Sequence, residues 1–100
     1  MLTRERAKKA IELIINKPDP HWQDKPKLAV VEDHTLEREW GWVFFYNSIN
    51  YLESGNLTDA LVGNAPYIVN KTTGEILATG TAYEIEYYIE EYESRLQTEL

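Results

Sequence analysis

The residues able to do chemistry in this chain are few and badly spaced for it. His21 and His34 are its two histidines, there is no cysteine, and no H-x-x-x-H spacing appears. A zinc site would therefore need carboxylates drawn from distant positions. Carboxylates are plentiful, but Glu84, Glu86, Glu90, Glu91 and Glu93 share one short stretch and read as a solvated helix face. Acid–base catalysis needs two such groups in a cleft with different surroundings, and nothing local predicts one. Ser48 precedes no glycine elbow, and Gly63-Asn64-Ala65-Pro66 lacks the lysine and glycine spacing of a phosphate loop. These residues predict no enzyme, no metal and no cofactor.

What the chain does carry is aromatic side chains: three tryptophans and seven tyrosines in 100 residues. Such residues bury large areas with few rotatable bonds, so they dominate binding hot spots as well as cores. Residues 41–48, Gly-Trp-Val-Phe-Phe-Tyr-Asn-Ser, hold five successive large apolar side chains, which no single helical stripe accommodates. As a strand, the run places Trp40, Trp42, Phe44 and Tyr46 on one face, with Val43 and Phe45 on the other. A strand apolar on both sides is central in its sheet, and each side needs cover.

The elements that position this strand follow from periodicity and punctuation. Thr3 to Asn16 reads as a helix, with Thr3 as N-cap and Ala7, Ala10, Ile11, Ile14 and Ile15 as its apolar stripe. Pro18 and Pro20 end it. Lys27 to Asp33 and Trp40 to Asn47 are strands. Between them, residues 34–38 form a strand extension or a wide turn. Ser48 caps a short helix stopped by Gly55, and Leu57 to Leu61 adds one more helical turn. Pro66 to Asn70 and Glu75 to Thr79 form a hairpin, with Gly74 at positive φ and Asn70 supporting the turn through its side chain. Asn70 then lies opposite Glu75, so Tyr67, Val69, Ile76 and Ala78 share a face. A last helix runs from Thr81 or Ala82 to about Leu96, with Ile85, Ile89, Tyr92 and Leu96 at core spacing and Tyr88 beside them.

The order α-β-β-(short α)-β-β-α implies an α+β fold: a four-stranded antiparallel sheet with the N- and C-terminal helices packed on one face. That leaves the opposite sheet face less protected. One hundred residues make a single domain, 1–100. No apolar run reaches the roughly 20 residues of a membrane span, and the charged start lacks a signal-peptide core. The absence of cysteine suits a reducing cytoplasm. A formal charge of −7 argues against nucleic-acid binding and is compatible with a basic protein partner. Trp40, Trp42 and Tyr46 are the candidate contact residues, supplemented electrostatically by Glu86, Glu90 and Glu93.

In order along the chain stand Gly41 to Ser48, Tyr51-Leu52-Glu53-Ser54-Gly55-Asn56, Leu61 to Pro66, Gly80-Thr81-Ala82 and Tyr88-Ile89-Glu90-Glu91-Tyr92. This series resembles the immunity protein 35 family, also described as YrhB-domain proteins, from about Leu28 to Glu93. The resemblance implies a small cytoplasmic α+β protein of a bacterial polymorphic toxin system that binds and neutralises a cognate toxin by stoichiometric contact. Two other readings stand beside it. One is a chaperone-like stress-stability protein that holds exposed apolar segments. The other is a homo-oligomeric structural module that buries its open sheet face against itself, whereas the toxin-binding reading expects a monomer or weak homodimer.

Overall fold

The first helix, α1 (Arg4–Ile15), starts where Thr3 is extended and its side-chain oxygen accepts the Arg6 amide, satisfying a donor that every helix start leaves open. The structure, a computed structural model, describes residues 1–98, so positions 99 and 100 of the expected domain lie outside the described residues. Ala7, Ile11 and Ile15 recur four apart and are all buried. Asn16 then closes the helix and ties it to the sheet. Its Nδ2 donates to the carbonyls of Glu12 and Leu28 at 2.9 and 2.8 Å, while its Oδ1 accepts the Leu28 amide at 2.8 Å.

The next strands are β1 (Leu28–Val30), β2 (Leu36–Arg38), β3 (Gly41–Phe44) and β4 (Tyr46–Ser48). β1 pairs antiparallel with β4, and β2 with β3. Together they are one long hairpin divided by a 3₁₀ turn at Glu32–His34 and a break at Phe45. The two expected strands are thus four short ones, because the extra turn residues shift the register between the halves. β5 (Tyr67–Asn70) pairs with β3, and β6 (Ile76–Ala78) with β5. The result is a four-stranded sheet, β2-β3-β5-β6, flanked by the two-stranded ladder β1-β4. Helix α2 (Ile49–Ser54) is capped by Ser48 and closed by Gly55 at φ 71°, as its sequence predicts. Ser48 is buried, and its hydroxyl serves as cap acceptor and as donor to the Asp59 carbonyl.

Helix α3 (Ile85–Thr98) corrects the expected layering. α1 packs with Trp42, Phe44 and Val69, whereas Ile89 and Tyr92 of α3 pack with Val43 and Ile68. Neighbouring strand residues point to opposite faces, so the two helices cover opposite faces of the sheet, not one. Gly41 to Phe44 are all buried, and burying a strand on both sides requires a layer on each. The fold remains α+β.

The β5–β6 turn follows its sequence. Gly74 has φ 77°, and Asn70 Oδ1 accepts the amides of Thr72 and Thr73 at 2.9 and 3.0 Å. The Asn70 Nδ2 donates to the Tyr92 hydroxyl at 3.0 Å, joining turn to helix inside the protein. Losing this buried side chain leaves several polar groups without partners, at about 1–3 kcal/mol in total. Asn70→Ala is therefore expected to lower the unfolding free energy by that amount, seen as a lower urea midpoint at an unchanged m-value. An unaltered midpoint would contradict this role.

Candidate interaction surface

Trp40, Trp42 and Tyr46 do not form a common stripe. The β2–β3 hairpin turns through Glu39 and Trp40, since Arg38 lies opposite Gly41. That turn resets the strand alternation and sends Trp40 to the α3 side. There its ring meets Tyr92 edge-on at 4.8 Å, and its Nε1 donates to Glu93 Oε2 at 2.9 Å. Trp40 and Glu93 thus clasp the hairpin tip to α3. Trp42 is 6% exposed, inside the α1-side core, and its indole N–H donates to Glu37 across the strand pair at 3.3 Å. Tyr46 is half-buried on the α1 side beside Tyr67, where burial first and Tyr67 second raise its phenol pKa.

Glu86 and Glu90 are exposed on α3. Next to them stands a feature the sequence reading missed. Tyr83 is 61% and Tyr87 45% exposed, yet their rings lie 4.2 Å apart, and Tyr88 meets Tyr87 edge-on at 5.4 Å. Tyr87 falls off the Ile85–Ile89–Tyr92 core face, and Tyr83 lies in the bend before α3, so no helical spacing in the sequence announces their contact. Interaction with the Glu91 carboxylate raises the Tyr87 phenol pKa above its ordinary value. These ring contacts hold the ridge together before any partner arrives, which lowers the ordering cost of binding.

Two open grooves lie on the α3 side. One, about 510 Å³, lies between Tyr88, Glu91 and Arg95 of α3 and Ile68 and Leu77 of the sheet. The other, about 410 Å³, is lined by Phe45, Pro66, Gly80, Tyr83, Ile85 and Glu86. Gly80 lets Tyr88 fold inward, because a Cβ there would stand 2.6 Å from the Tyr88 hydroxyl.

Charge is divided between the two faces. From Glu84 to Thr98 there are five glutamates and a single cation, Arg95, whereas α1 carries Arg4, Arg6, Lys8 and Lys9 against Glu5 and Glu12. With the helices on opposite faces, the acidic side is also the side of the tyrosine ridge. On the α1 side, a third groove of about 350 Å³ involves Ile14, Trp22, Tyr46 and Val62, with Val62 86% exposed. Among the described residues, no group of three or more His, Cys, Asp or Glu is placed to hold a metal, and no helix is long and apolar enough to cross a membrane.

Fold and surface together define a small α+β domain with an exposed aromatic ridge set in an acidic helix. The chain belongs to the immunity protein 35 family, whose model matches residues 5–94. The uncharacterized protein YrhB of Escherichia coli (strain K12) is 37% identical over 78 residues, which make up 78% of this chain and 83% of that protein. No solved structure matches the chain.

Proposed function

We propose that this chain is an immunity protein that binds and neutralises a cognate bacterial toxin domain by stoichiometric protein–protein contact, without a cofactor or catalysis of its own. Membership of an immunity family supports this reading. The observation that carries the contact surface is the Tyr83–Tyr87 ridge: large, exposed and stacked, amid Glu86 and Glu90. Exposed aromatic anchors with a polar surround are the usual anatomy of a hot spot. Trp40 and Glu93 act as the clasp that holds this face, whereas Trp42 and Tyr46 belong to the α1 side. The site of action is the cytoplasm, and the working form is a monomer or weak homodimer.

Co-expression with the toxin encoded beside this gene tests the proposal. Cells should survive, and the two chains should co-purify in equal amounts. Death of the cells, or survival without a complex, would contradict it. The α1-side groove, with Val62 at its rim, favours chaperone-like holding of apolar segments as a second reading. Suppressed light scattering from several unrelated unfolding proteins would support that reading over the first.

A further inference from the structure

We infer that the Tyr83–Tyr87 ridge receives an arginine-bearing segment of its protein partner, with an adjacent apolar residue entering the groove of Phe45, Pro66 and Ile85. The inference rests on the binding role proposed above and names the chemistry of the occupant. Tyrosine faces attract cations, and arginine adds planar stacking with bidentate bonds to carboxylates, which lysine lacks.

The protein already builds such an arrangement once. Arg95 lies with its guanidinium carbon 4.9 Å from the Tyr92 ring centre and donates to Glu75, which also accepts from the Tyr92 hydroxyl. On the outer face the tyrosines and carboxylates are present, but the sequence holds no lysine or arginine between Lys71 and Arg95. Among the described residues, Glu84, Glu86 and Glu90 make no ion pair. The stacked rings, the adjoining groove and the negative charge therefore share one complement: a cationic planar group beside an apolar one. Nucleic acid and anionic lipid are repelled by the same glutamates.

The test is amide-resonance titration of the whole protein with the peptides Ac-Leu-Arg-Arg-Leu-NH2, its lysine counterpart and its glutamate counterpart. The arginine peptide should shift residues 80–91 and bind more tightly than the lysine peptide. The glutamate peptide should not bind. Tyr87→Phe keeps the ring face and should retain affinity, whereas Tyr83→Ala/Tyr87→Ala should weaken it about tenfold or more. Shifts centred on α1, equal binding of acidic and basic peptides, or no shifts at millimolar arginine peptide would overturn the inference. Toxin complex formation without arginine-peptide binding sinks this inference alone. Peptide binding without a toxin complex sinks the immunity role alone.

Discussion

Gly41→Ala is expected to unfold the domain. Gly41 has φ 155°, and a Cβ at this position would lie 1.9 Å from the Val69 carbonyl oxygen and 3.1 Å from the Lys71 amide nitrogen. Both neighbours are backbone of the adjoining strand, where Gly41 stands opposite Asn70, so no side chain is free to move aside. β3 and β5 would have to separate at the centre of the four-stranded sheet. The same separation threatens the 2.8 Å bond from the Lys71 amide to the Trp40 carbonyl. A loss above about 4 kcal/mol is the scale of such a steric break, against a total stability of about 5–15 kcal/mol for a domain. Amide-resonance dispersion and urea unfolding report the result. A native-like spectrum with a loss under about 1 kcal/mol would show that the strands accommodate a methyl group here.

Trp42→Ala is the second large effect, and it separates core from contact surface. The indole is packed with Phe44, Val69 and the α1 residues Ala7 and Ile11, and lies 6.2 Å from the Phe44 ring. Truncation removes a large apolar side chain and leaves a cavity, which costs about 3–5 kcal/mol. Trp42→Ala is expected to lose protection against the toxin because the fold fails. Trp42→Phe, which refills much of the space, should recover most of the stability. Full protection with a folded Trp42→Ala protein would mean that the α1-side core tolerates the void.

Local features of the fold were legible because local chemistry sets them. Thr3, Ser48, Gly55, Asn70 and Gly74 each do in the structure what their type and position imply. The register placing Asn70 opposite Glu75 also followed, since the four-residue loop fixes the parity of every later strand residue. The layering was not legible. Periodicity says that Ile85, Ile89, Tyr92 and Leu96 face a core, but either sheet face offers one. The choice depends on how the chain crosses after β6, which no local pattern records. Trp40 was misplaced because the two-residue turn at Glu39 and Trp40 interrupts an alternation that the bare aromatic run suggests is continuous. The tyrosine ridge went unnoticed for a related reason. Tyr83 precedes the helix, and only the bend before Ile85 brings its ring onto Tyr87.

The division of labour among the aromatic residues leads to a sharp expectation. Exposed Tyr83 and Tyr87 contribute little to folding, because truncating surface side chains usually changes stability by less than about 0.5 kcal/mol. Buried Trp42 should behave in the opposite manner. The most direct measurement is titration calorimetry of the cognate toxin domain with the wild-type chain and with Tyr83→Ala/Tyr87→Ala. The wild type is expected to bind one to one. The double variant should lose at least ~2 kcal/mol, about 30-fold, while its thermal unfolding stays close to wild type. Equal affinity in a folded double variant would contradict the central claim that this chain grips its partner through the tyrosine ridge at the start of α3.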